Sequence, residues 1–339
     1  MLHYAFMSLV KELSVGLLCV ALSASDVYAR DLTVGGVPPI ILTVMTHTDG
    51  TYATADAFTA DKRKIQRGIA LYRSSGVKMN LEASKEFATA DINASGARAT
   101  FLKSVVLNGN GVGTHCNDVR AFTTASDAAL QTTLANNKQI VDTALADQAI
   151  HNVSISGSCS KKDWVKAAQG ATFRITDAGT GLCYLSMPDS ARPTDWDDTA
   201  IKTTFFHDPA PFDFANRISP MRLLDAADFT PDAAGVLIFS NGELGELDSL
   251  DEGRSNCAPS CTLDSADFDV VYAAIDDVIA QRDPAKVGRI NMHIPTKLFN
   301  PRDEALLGDF FMVLKAYADA GKIVFGTQED VADTFARWP

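Results

Sequence analysis

Apolar and polar positions along the chain fall into short segments of two kinds that alternate. Residues 39–45 form a continuous apolar run with β-branched Ile40, Ile41, Thr43 and Val44, the pattern of a strand buried on both faces. In 54–75, Ile65, Ile69, Leu71 and Tyr72 recur at helical spacing, and Gly76 supplies the stop. A short strand over 77–82 follows, then a helix around 97–107, a turn at Asn108-Gly109-Asn110-Gly111 and a third strand over 112–115. The pattern continues with an alanine-rich helix over 123–146, a strand over 152–157, a helix over 161–168 and a strand over 172–176. Residues 177–230 are rich in Pro, Asp and Gly and read as an ornamented loop region over one end of the domain. A buried strand at 235–240 and a loop at 244–263 come next. Helix 268–281, strand 287–292, helix 304–320 and strand 323–327 complete the series.

Strands that alternate with helices call for parallel pairing through right-handed crossovers. Seven or eight such units in one series favour closure, so the expected fold is a distorted (β/α)7-8 barrel with parallel strands and long decorated loops. No Gly-x-Gly-x-x-Gly follows the first strand, which removes the main support for a dinucleotide fold. Residues 30–339 are expected to form this one barrel domain.

The N-terminus changes the picture of where the protein works. A lone Lys11, an apolar stretch over 13–24 and a small-residue end at Val27-Tyr28-Ala29 have the layout of a secretory signal, expected over 1–29. The apolar stretch is too short to span a bilayer comfortably, so a secreted or periplasmic protein without stable membrane insertion is expected. The formal charge of −12 becomes −11 once Lys11, Glu12 and Asp26 leave. An acidic surface argues against nucleic acid as a partner, because phosphate binding needs a basic face. In an oxidising compartment Cys257 and Cys261 are expected to close a small loop, with Cys159 and Cys183 the next plausible pair. Cys116 is then the odd thiol.

Barrels of this kind place their chemistry at the carboxyl ends of the strands. The residues there are His47 and Asp49, Glu82, His115 with Asp118 close behind, Asn241 and Glu243, and His293. His151 begins a strand and His207 lies in the long loop, so both are read as structural or surface residues. Side chains two apart on an extended chain point the same way, so His47 and Asp49 are expected to project together, with Gly50 letting the backbone turn away. Two imidazoles and a carboxylate from His47, Asp49 and His115 suit a divalent metal with open positions, zinc foremost, and Asp118 is a further candidate ligand. Such a metal activates water and polarises a carbonyl, the chemistry of hydrolytic deacylation. Glu82 is then the spare carboxylate for a general base, with a structural role as the alternative, and His293 the acid that protonates the leaving group.

Thr46-His47-Thr48-Asp49-Gly50, Gly111-Val112-Gly113-Thr114-His115-Cys116-Asn117-Asp118 and Ile290-Asn291-Met292-His293 resemble the first, second and last motifs of the NodB-type polysaccharide deacetylase superfamily. The resemblance implies a distorted barrel, a metal held by one Asp and two His, and removal of acetyl groups from an N-acetylated polysaccharide or glycan. By position Asp49 matches the family's metal Asp, His115 its first metal His, and His293 its catalytic His. The sequence departs from the pattern at three places. Thr48 stands where the family has its Asp base, Val119 where it has its second metal His, and no arginine-proline motif is evident in 156–160. Either His47 or Asp118 replaces the missing ligand and Glu82 the base, or the barrel does something else.

Two other functions fit the same residues. One is a metal-free glycoside hydrolase using a pair among Asp49, Glu82 and Glu243. The other is a glycan-binding protein without catalysis, in which Trp164, Trp196, Tyr184 and the Phe205/Phe206 pair stack on sugar rings, unless these aromatics are core.

Overall fold

The computed structural model describes residues 32–33, 35–116, 126–177, 181–192, 196–203, 218–239, 242–252 and 261–338. The expected signal segment, Asp118, Cys257, Asn241 and the loop residues Phe205, Phe206 and His207 lie outside them. Among the described residues no helix is long and apolar enough to cross a membrane.

Ten strands form one sheet: β1 (Ile40–His47), β2 (Met79–Ser84), β3 (Gly111–His115), β4 (Ser154–Ser156), β5 (Ile175–Thr176), β6 (Met221–Leu223), β7 (Leu237–Phe239), β8 (Glu243–Glu246), β9 (Gly288–His293) and β10 (Val324–Phe325). Their order is β6-β7-β5-β4-β3-β2-β1-β9-β8, with β10 also on β1, and every pairing is parallel except β6 with β7. β7 pairs with β5 while β8 pairs with β9, and only residues 240–242 separate the two strands. One stretch of chain is thus joined to both ends of the parallel series, and the sheet curls into a distorted barrel.

The helices are α1 (Ala55–Ser75), α2 (Lys85–Ser95), α3 (Phe101–Leu107), α4 (Asp127–Leu145), α5 (Trp164–Gly170), α6 (Asp198–Thr203), α7 (Ser265–Gln281), α8 (Glu304–Asp319) and α9 (Gln328–Arg337). Short polar side chains start most of them. Thr54, Ser84, Thr100, Ser126 and Asp163 each accept a backbone N–H of the first turn, and Asp264 and Thr327 form capping boxes with Asp267 and Asp330. Gly76 ends α1 in the left-handed conformation, φ 80°, as its sequence position implies.

Four elements differ from the sequence pattern. The helix expected over 97–107 begins only at Phe101, because the buried carboxylate of Asp91 on α2 accepts the backbone N–H groups of Phe101 and Leu102 at 2.9 and 2.8 Å. α2 itself escaped the pattern: its buried face is only Phe87, Ala88 and Asp91, too little apolar periodicity to register. The loop expected from 244 contains β8 instead, whose Glu243 and Glu246 point inward and therefore read as polar loop residues. α9, also absent from the pattern, sits under the barrel.

Alternation along β1 separates two cores. Ile40, Leu42 and Val44 pack with α1, α7 and α8 residues in the main outer core, whereas Ile41 joins Ile175, Ile238 and the α9 residues Val331, Ala332 and Phe335. The barrel interior is therefore apolar at its amino end and plugged there by α9. A third cluster, around Trp164, Tyr184, Phe229 and Phe239, contains the Cys159–Cys183 disulfide. Cys261 is also disulfide-bonded.

Candidate metal-binding and catalytic site

β1 runs its inward residues Ile41, Thr43, Met45 and His47 up the barrel wall, and the chain leaves the sheet at His47. Asp49 lies two residues on, half exposed at the mouth, with its Oδ2 2.9 Å from His47 Nδ1 and its Oδ1 3.1 Å from His115 Nε2. His115 is the last residue of β3, and its Nδ1 lies 2.7 Å from Ser156 Oγ at the end of β4, which fixes the ring so that Nε2 faces Asp49. His293 closes β9. The His47 ring is stacked between the other two, its centroid 4.4 Å from that of His115 and 4.2 Å from that of His293. Three imidazoles and one carboxylate from three strands far apart in sequence thus meet at one rim.

The expected donor set converges. One ligand atom each from His47, Asp49 and His115 lies within 4.8 Å of the others, two nitrogens and an oxygen as a borderline-soft divalent cation prefers. Partial burial alone would raise the Asp49 carboxyl; hydrogen bonds from His115 and His47, together with their positive potential, overcome it and hold the group well below the usual carboxylate range. Asp49 is therefore held in its charged form between the two imidazoles.

Thr48, which stands where the resembled family has its Asp base, and Glu82, the candidate base, both turn away from this cluster. Thr48 is buried, and its hydroxyl accepts the Ser84 N–H at 3.0 Å at the start of α2. Glu82 pairs with His47 across β1 and β2, yet its side chain has no exposure and accepts a hydrogen bond from Ser154 at 2.7 Å. Burial, then the negative charge of Asp177, pushes its carboxyl well above the ordinary range. It lies under the site, in a buried polar layer with Asp177. Of the two roles expected for Glu82, general base and structural support, this burial favours support.

Glu243 belongs to the same layer. It is fully buried, accepts from Asn291 Nδ2, and is pushed up to about 8 by burial and by Asp177. Arg289 is the layer's cation: it is 1% exposed and donates from NH2 to Asp177 Oδ1 at 2.6 Å. Neither Arg289 nor Asp177 figured among the candidates, although a signal existed. Arg289, Asn291 and His293 are polar at period two within Arg-Ile-Asn-Met-His, which marks an inward polar row. Glu246, the register partner of His293, was also missed; it and Asp248 hold Lys297 at 3.0 and 2.9 Å beside the mouth. Cys116 takes no part in the donor set: its sulfur accepts from Asn137 Nδ2 at 3.0 Å in the core. His151, read as structural, pairs with Glu329 at 2.8 Å on α9.

The aromatic residues considered for sugar stacking are packing residues where described. Trp164 and Tyr184 have no exposure, and Trp196 rests on Tyr184 with ring centroids 5.8 Å apart. Of the carboxylates considered for a glycosidase pair, Asp49 stands half exposed at the mouth, whereas Glu82 and Glu243 are buried beneath the histidines.

No family model and no curated protein sequence matches the chain. Solved structures do match in shape. A putative polysaccharide deacetylase from Mycobacterium smegmatis is similar at a TM-score of 0.54 and 11% identity, over 90% of this chain and 93% of that one. A probable polysaccharide deacetylase from Pseudomonas aeruginosa PAO1 is similar at a TM-score of 0.54 and 12% identity, over 91% of this chain and 98% of that one. PuuE allantoinase is similar at a TM-score of 0.54 and 9% identity, over 91% and 98%. The protein therefore shares, at a distant level, the barrel fold of these polysaccharide deacetylases and this allantoinase.

Proposed function

We propose that this protein is an exported, metal-dependent hydrolase that removes acetyl groups from an N-acetylated glycan. The observation that carries the reading is the meeting of His47, Asp49 and His115 at the carboxyl rim, with His293 stacked beside them. The two solved polysaccharide deacetylases of the same fold support the choice of substrate class. The apolar N-terminal stretch and the Cys159–Cys183 disulfide support export.

A divalent cation in the donor set would polarise the amide carbonyl and make water acidic enough to attack it near neutral pH. His47, Asp49 and His115 would hold that cation, and Ser156 orients His115. His293 is the imidazole of the stack that stands outside the donor set, and Glu82 is buried below it. His293 accordingly takes a proton from the attacking water and returns it to the leaving nitrogen. Apolar packing around the lower barrel and the half-exposed Asp49 leave the reaction open on one side only, the mouth.

The test is to purify the exported chain, titrate it with zinc, and measure acetate release from N-acetylated oligosaccharides. Allantoin belongs in the panel because one structural neighbour is an allantoinase. The expected result is one metal per chain and acetate release that Asp49→Ala and His115→Ala both abolish together with the metal. A protein that takes up no stoichiometric metal overturns the reading.

A further inference from the structure

The barrel is weakly laddered where β5 meets the return strands. β5 has two residues and a single register partner in β7, Ile175 with Ile238, and the β8–β9 register shifts between Glu243 and Glu246. Backbone hydrogen bonds alone hold this side poorly; β9, which ends in His293, is laddered to β1 from Ile40 with Gly288 to Met45 with His293 on one edge and borders the irregular β8 on the other.

We propose that the Arg289–Asp177 ion pair is a positioning brace for the site, a buried strut from β9 to the end of β5 that sets His293 against His47. The proposal rests on the reading of the histidine cluster as the working site. Arg289 and His293 project inward from the same strand four residues apart, and Asp177 follows β5 directly. Two groups converge on Asp177 Oδ1: Arg289 NH2 at 2.6 Å and the Gln328 amide from α9. The strut therefore ties β5, β9 and the α9 plug to one carboxylate. From β9 the collar continues through Asn291, which donates to Glu243 and accepts from Thr43 at 2.6 Å on the strand that ends in His47.

Stability does not account for the pair. Buried ion pairs replaced by apolar groups of similar volume often leave a protein as stable or more so. Arg289 Nε, moreover, has no hydrogen-bond partner among the described residues. What the pair supplies and an apolar filling would not is a fixed direction and length across the barrel, set by a guanidinium that bonds in its own plane.

The brace is tested by Arg289→Met/Asp177→Leu, an apolar filling of the strut, and by Asp177→Asn, which keeps the shape and removes the charge. Proton NMR of the metal-free protein reads the histidine rings directly, because a ring stacked 4.2 Å from His47 is shifted upfield by it. Expected are native-like thermal unfolding of the filled variant with loss of the His293 upfield shift, and a partial loss in Asp177→Asn. With substrate, kcat is expected to fall roughly ten- to a hundredfold while KM changes little. Native His293 ring shifts in the filled variant overturn the brace. If that variant fails to fold, native shifts in Asp177→Asn do so. The ring shifts need neither metal nor turnover, so the brace and the hydrolase reading stand or fall on different measurements.

Discussion

The state of single carboxyl groups decides what each acid in this barrel can do. Glu82 and Asp49 belong to neighbouring strand ends, yet burial pushes the carboxyl of one up while two imidazoles hold the other well below the usual range. Removing a working general base costs about 10²- to 10⁴-fold in rate, so Glu82→Gln, which preserves shape and neutrality, distinguishes base from support. The expected outcome is less than a tenfold change in kcat, measured by acetate release. His293→Ala, by contrast, is expected to lower kcat by at least 10²-fold with the metal still bound, which calorimetric zinc titration checks. Glu243 carries a pH signature. Its carboxyl rises from an ordinary 4.5 to about 8 in the folded chain, so between those values the folded state holds a proton that the unfolded state releases. Stability from this group is full at the acid end and falls as pH rises through the interval, by an upper bound on the order of a few kcal/mol. Glu243→Gln is expected to flatten that decline, which denaturant unfolding at the two ends of the interval reads.

Among the elements, β3 and α9 place the site although neither touches substrate in this reading. A Cβ at Gly113 would overlap the Ser154 hydroxyl and the Glu82 carboxyl, so the β3 backbone approaches the polar layer only because Gly113 has no side chain. Gly113→Ala is expected to destabilise the fold by about 1–3 kcal/mol through forced overpacking, and to weaken zinc binding because His115 lies two residues on. α9 plugs the amino end through Val331, Ala332 and Phe335. Phe335→Ala is expected to cost about 3–5 kcal/mol in chemical unfolding, with zinc affinity near native because the plug is at the opposite end from the histidines. Strands and long helices were legible at this scale since their apolar periodicity is strong. α2, β8 and α9 were not: each turns polar groups inward, Asp91, Glu243 with Glu246, and Gln328, and a buried polar group looks in sequence like a solvated one.

For the whole molecule, one described disulfide and one curled sheet hold distant parts together. The Cys159–Cys183 bridge closes a loop of 24 residues within the Trp164 cluster, and reducing it is expected to lower stability by roughly 3 kcal/mol, seen as a fall in Tm with thiol present. Alternation of strands and helices, the absence of a dinucleotide fingerprint and histidines at three strand ends were enough to expect a parallel barrel and to name His47, Asp49, His115 and His293 as its chemistry. These features are local, carried by residues close together in the chain, and so a sequence states them outright. That Glu82 is buried beneath the histidines, and that Arg289 reaches Asp177 across the barrel, was decided only by the tertiary structure. Burial and the charges that shift a carboxyl come from residues more than a hundred positions apart, as Arg289 and Asp177 are, and only sheet closure brings them within reach of one another.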